Sequence, residues 1–82
     1  MILHTELVEK RNDYRLFIRF NNGVSGEIDL AGELWGEMFE PLKDPANFAT
    51  ARQDNAMGTV VWDNGADLAP EFLLELLNKQ AA

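Results

Sequence analysis

From Tyr14 to Phe20 the chain alternates: Tyr14, Leu16, Ile18 and Phe20 take one parity and Arg15, Phe17 and Arg19 the other. A period of two is the mark of a strand with one face buried. Ile2 to Lys10 is rich in strand formers but less regular, with Leu3 and Leu7 on one face and Ile2 and Val8 on the other, and reads as an N-terminal strand. Arg11-Asn12-Asp13 between them is a turn signal.

Asn21-Asn22-Gly23 separates the alternating strand from a second, Val24–Leu30, and the pleat decides how the two align. A two-residue turn at Asn22-Gly23 sets Phe20 against Ser25 and Ile18 against Glu27, mixing apolar and polar on one face. A three-residue loop instead pairs Phe20 with Val24, Ile18 with Gly26, Leu16 with Ile28 and Tyr14 with Leu30. The sequence therefore predicts a type I turn closed by Gly23 in the left-handed conformation. On the other face this register sets Arg15 opposite Asp29 and Arg19 diagonal to Glu27.

At Leu30 the period becomes helical. Leu30, Ala31, Leu34, Trp35, Met38 and Phe39 share one side of a wheel and Glu33, Glu37 and Glu40 the other, with Asp29 placed to cap. Gly32 and Gly36 predict a short helix broken near Gly36, and Pro41 ends it. Asp44-Pro45 reads as cap and first position of a second short helix through Ala49 that buries Phe48, with Leu42 beside it. Arg52–Asp54, the loop Asn55–Gly58 and Thr59–Trp62 form a second hairpin, its last strand apolar on both faces. After the turn Asp63-Asn64-Gly65 and the extended piece Ala66–Leu68, Pro70 opens a terminal helix with a stripe of Ala69, Phe72, Leu73, Leu76 and Leu77. Glu75 precedes Lys79 by four residues, a favourable pair.

These elements predict an α+β class: a small antiparallel sheet of two hairpins plus the N-terminal strand, packed against short helices and a C-terminal amphipathic helix. With 82 residues the chain is expected to form a single domain spanning 1–82, too small for a cleft between domains. Absence of cysteine removes disulfides, thiolate metal sites and cysteine nucleophiles. The N-terminal residues lack the basic and apolar regions of a signal peptide, and no apolar run can span a bilayer, so a cytoplasmic location is expected. A net charge of −7 opposes the phosphate backbone, and direct nucleic-acid binding is not expected. Lys10, Arg11, Arg15 and Arg19 are interleaved with Glu9 and Asp13 and read as a mixed solvated face.

Taken together, Asp13-Tyr14-Arg15-Leu16, Phe20-Asn21-Asn22-Gly23, Phe39-Glu40-Pro41-Leu42-Lys43-Asp44-Pro45, Phe48 and Gly58-Thr59-Val60-Val61-Trp62-Asp63-Asn64-Gly65-Ala66-Asp67-Leu68 closely resemble the small bacterial family catalogued as domain of unknown function 2442. The resemblance runs from about Leu3 to Leu77 and implies a small α+β domain. Some members of that family are fused to a helix-turn-helix domain. Others stand alone, often encoded beside another short protein in arrangements suggestive of toxin–antitoxin or mobile gene-cassette systems. This chain ends at Ala82 and is expected to lack the DNA-reading extension. The family has no established activity or catalytic residues, so the resemblance transfers none.

Among the residues themselves, the chemistry is thin. His4 is the only histidine and Ser25 the only serine, the latter on a strand rather than a nucleophile elbow, so no serine triad is expected. A single imidazole does not make a zinc site, and Asp63-Asn64-Gly65-Ala66-Asp67 is too short for a calcium loop. Asp67 is instead expected to cap the terminal helix. No catalytic, cofactor-binding or metal-binding residue is assigned, and the chain is not expected to be an enzyme.

Three apolar residues fit the core pattern poorly: Phe17 on the outer face of the first hairpin, Leu74 outside the terminal helix's stripe, and Trp35 at the edge of its own. They are the candidate interaction surface. The expected function is a non-catalytic protein–protein interaction or regulatory module, antitoxin-like or accessory to a gene cassette, with a protein partner or a second copy bound. The alternative is a small-molecule-binding domain or a carboxylate-dependent enzyme built near Trp62 and Asp67; a pair such as Asp29 and Asp67 would need burial to do acid–base work and is not assigned.

Overall fold

The structure, a computed structural model, describes residues 2–81; Met1 and Ala82, the ends of the expected domain, lie outside the described residues. Five strands and two α-helices follow in the order β1 (Thr5–Lys10), β2 (Arg15–Phe20), β3 (Ser25–Asp29), α1 (Pro45–Phe48), β4 (Arg52–Asp54), β5 (Thr59–Val61) and α2 (Pro70–Ala81), giving an α+β domain. The N-terminal strand starts at Thr5, three residues later than its composition predicts. It pairs with β2 antiparallel, and a register shift between Thr5 and Leu7 accounts for its irregular alternation.

The β2–β3 hairpin has the register dictated by the pleat. Leu16 faces Ile28, Ile18 faces Gly26 and Arg15 faces Asp29. Phe20 N–H donates to Val24 O at 2.8 Å, and Gly23 closes the loop at φ +88°. Leu16, Ile18, Phe20 and Ile28 are therefore buried on one face. On the other, Arg15 meets Asp29 at 3.8 Å, whereas Arg19 reaches across to Glu6 of β1 at 3.6 Å rather than to Glu27.

β4 and β5 form their own two-stranded sheet beside the three-stranded β1–β2–β3 sheet. At the seam, a side chain substitutes for ladder bonds. Gln53 Nε2 donates to Thr5 O at 2.8 Å, its Oε1 accepts from the Thr5 hydroxyl, and Thr5 N–H donates to Gly58 O at 2.9 Å. The buried Thr5 is thereby satisfied on all sides.

The helix expected from Leu30 is not formed. Asp29 Oδ1 accepts from Ala31 N–H at 2.9 Å, but only one 3₁₀ turn follows, Ala31–Glu33. Leu34 then leaves helical geometry at φ −89°, ψ 64°, and Gly36 takes φ +90°, which an α-helix cannot accommodate. Pro41 does not terminate an element; it sits inside a second 3₁₀ turn, Glu40–Lys43, where its missing N–H costs nothing. α1 is capped as predicted, with Asp44 Oδ1 accepting from Ala46 N–H at 3.0 Å, and ends one residue before Ala49.

The core gathers Leu16, Ile18, Phe20 and Ile28 from the sheet, Phe48, Val60 and Trp62 from the middle of the chain, and Leu73, Leu76 and Leu77 from α2. Trp62 is 1% exposed; its Nε1–H donates to Phe48 O at 3.1 Å, and Phe48 stands edge-on to Tyr14 at 5.2 Å. α2 packs on β3, with Leu77 over Gly26.

Main-chain groups of Val24 and Leu30 bond to β2, so by alternation those of Ser25, Glu27 and Asp29 point away from it. Gln80 takes both at Asp29: its Oε1 accepts from Asp29 N–H at 2.8 Å and its Nε2 donates to Asp29 O at 2.9 Å. The cap of α2 by Asp67 is not formed. Asp67 lies in an isolated antiparallel bridge with Val61, and among the described residues no α2 N–H donates to its carboxylate. No described helix is long and apolar enough to cross a membrane.

Candidate interaction surface

Where the backbone leaves the 3₁₀ turn at Leu34, the side chains on either side of the bend part company. Leu34 turns into the core at 2% exposure and Trp35 turns outward at 71%. Trp35 N–H reaches back to Glu33 O at 3.0 Å, fixing the bend. The chain returns through Gly36, whose carbonyl accepts from Glu40 N–H at 2.8 Å, and this turn sets Phe39 edge-on against Trp62 at 6.2 Å.

A second wall comes from the far end of the sequence. Leu68, held by a hydrogen bond from the Thr59 hydroxyl to its carbonyl, and Phe72 of α2 face the same space. Trp35, Phe39, Leu68 and Phe72, with Glu33, line an open cleft of about 230 Å³. Its floor is firm: Phe39, Leu68 and Phe72 are half-buried against the core. Met38, 45% exposed, lies next to Phe39, and its carbonyl accepts from Asn64 Nδ2 at 2.9 Å.

Charge is unevenly distributed around the molecule. Arg11, Arg15, Arg19, Lys43, Arg52 and Lys79 each pair with one carboxylate: Glu9, Asp29, Glu6, Glu40, Asp63 and Glu75. Asp44 and Asp54 accept backbone N–H groups at turns. Glu33, which lines the cleft, Asp67 and Glu71, each adjacent in sequence to a lining residue, and Glu37, midway between Trp35 and Phe39, enter none of the ion pairs among the described residues. Much of the uncompensated negative charge thus belongs to the segments that build the cleft.

The three candidate residues do not share one surface. Phe17 lies on the sheet face away from α2, between Glu9 and Glu27 of the neighbouring strands, with the Arg11 guanidinium 5.0 Å from its ring. Leu74 is half-buried on α2, which packs on the opposite face. Trp35 meets Phe72 of α2 rather than Leu74. Sequence reasoning placed Phe39 and Phe72 on core-facing stripes and did not foresee that they meet, because periodicity within one element carries no information about a wall supplied by another.

Elsewhere, an open hollow of about 630 Å³ lies at the seam between the sheets, bordered by His4, Arg19, Gln53 and Met57. Its polar groups already satisfy one another: Gln53 with Thr5, Arg19 with Glu6, and the His4 ring with Asn21 Nδ2 at 3.1 Å. Among the described residues no group of three His, Asp or Glu side chains could hold a metal ion. Trp62 is enclosed, while Asp67 is exposed and Asp29 is on the strand edge held by Gln80.

The chain is similar to the crystal structure of a putative DNA binding protein from Nitrosomonas europaea, with a TM-score of 0.82 and 24% identity. The match covers 98% of this chain and 52% of that one, so the chain spans about half the length of its neighbour, and at this identity the likeness concerns the fold alone. No curated protein matches significantly. A family model described as protein of unknown function matches residues 7–78, and the chain belongs to that family, DUF2442.

Proposed function

We propose that this chain is a non-catalytic protein-interaction module that engages its partner through the Trp35 cleft. One observation carries the reading: a tryptophan 71% exposed beside half-buried Phe39, Leu68 and Phe72. Single exposed apolar side chains are ordinary, but several converging on one concavity mark a contact site, and tryptophan is over-represented among residues that dominate binding. The antitoxin-like or regulatory setting suggested by the family resemblance supplies such a partner.

The neighbour's name raises a DNA-binding reading, and half of that protein has no counterpart in this chain. Against it stand the net charge of −7 and the pairing of six of the seven cations with carboxylates among the described residues. Self-association through the cleft would bring together two copies of the same acidic segments, which repel.

Affinity capture from the native host, identification of the retained protein and calorimetry with the purified pair test the proposal. A stoichiometric partner is expected whose affinity falls at least about tenfold on Trp35→Ala. Monomeric mass by light scattering with no partner retained at any salt concentration overturns it.

A further inference from the structure

Resting on that reading, the structure assigns the partner a chemistry: we infer that the Trp35 cleft receives a cationic polypeptide segment that presents an aliphatic or aromatic anchor between lysines or arginines. The anchor follows from the cleft's lining. Trp35, Phe39, Leu68 and Phe72 offer apolar surface that one large side chain would fill, in a volume of about 230 Å³. Each wall is built by hydrogen bonds independent of any ligand, the Trp35–Glu33 and Gly36–Glu40 backbone bonds on one side and the bond from the Thr59 hydroxyl to Leu68 O on the other. The cleft is thus formed before anything binds, which lowers the ordering cost of association.

The cationic flanks follow from charge. Six cations are already matched with carboxylates elsewhere, whereas Glu33, Glu37, Asp67 and Glu71 enter none of these pairs and belong to the segments that make the cleft. Lysine or arginine beside the anchor would meet these carboxylates as its apolar part displaces water, strengthening the attraction and accelerating encounter at low salt. An anchor with acidic flanks would meet repulsion from the same groups. Phosphate-bearing ligands are disfavoured for that reason.

The molecule carries its own reporter. Trp62 is 1% exposed and Trp35 71%, so a change in tryptophan emission on binding originates at Trp35. Three synthetic peptides are titrated into the purified chain: one with a tryptophan-free apolar anchor between lysines, one with the same anchor between glutamates, and one with lysines and no anchor. Duplex DNA is the fourth probe. Binding of the first peptide with a blue shift, at least about tenfold tighter than the other three, is expected. Raising salt from about 50 to about 300 mM should weaken it several-fold. The variant Glu33→Lys/Glu37→Lys/Glu71→Lys, whose sites are on the surface or at its margin, should lose the preference for lysine flanks and retain the anchor contact.

Equal binding of the lysine and glutamate peptides, abolished by Trp35→Ala, overturns the assigned chemistry and leaves the interaction module standing. Capture of a host partner with an acidic contact segment does the same. Preferential binding of DNA overturns both, and so does the absence of any peptide binding together with the absence of any captured partner.

Discussion

Leu77 of α2 rests on Gly26 of β3 so closely that a Cβ built on the glycine would stand 2.7 Å from Leu77 Cδ1. Because the atom in the way is the tip of a flexible side chain, Gly26→Ala should be absorbed by a rotamer change. Gly26→Val should destabilise by about 1–3 kcal/mol, since the larger group pushes α2 off the sheet. Urea denaturation of Gly26→Val, Leu77→Ala and the double variant checks this: the double variant should lose less than the two single losses added together.

Gly23 has no atom within 4 Å of where its Cβ would lie, yet its φ is +88°. Substitution there costs backbone energy alone. Gly23→Val should lower stability by about 1–2 kcal/mol and Gly23→Asn by clearly less, because asparagine tolerates the left-handed region. Equal losses in thermal unfolding would count against the three-residue loop.

Trp62 joins the two halves of the core through its bond to Phe48 O and its edge contact with Phe39. Trp62→Phe removes one of the two donors to Phe48 O, which keeps its bond from Ala51 N–H at 3.1 Å, and leaves a void, at a cost of about 1–3 kcal/mol in chemical denaturation.

Trp35→Ala should behave in the opposite way. The side chain contributes little to the folded state, and stability should change by no more than about 0.5 kcal/mol. Emission should shift to shorter wavelength and iodide quenching should fall, because only the enclosed Trp62 remains.

The contrast between these variants shows what the sequence makes legible. The β2–β3 register can be read from alternation, because slipping it by one position would expose Ile18 and bury Glu27; Arg15 opposite Asp29 reinforces the choice. Asp44-Pro45 is legible for a local reason, since a cap and its proline act within one turn. The segment Leu30–Phe39 is misread as helix because Leu30 and Leu34 are buried at helical spacing whether the backbone between them is α or a single 3₁₀ turn. Two glycines then tip the balance, and Trp35 swings outward. Phe17 reads as unpartnered in the sequence because Arg11, beyond a turn, is what covers it. The cleft itself joins residues more than thirty positions apart, so its members each look like core.

Gln80 holds a similar long-range position. By occupying the outward main-chain groups of Asp29, its amide leaves an incoming strand only the stretch around Ser25 and Glu27, too short for a stable ladder. A single side chain at the helix end therefore works as a stopper against amyloid-like addition of strands along this edge. Gln80→Ala should leave the melting temperature nearly unchanged and yet hasten thioflavin-positive assembly at high protein concentration, a protection that no measurement of folding stability would reveal.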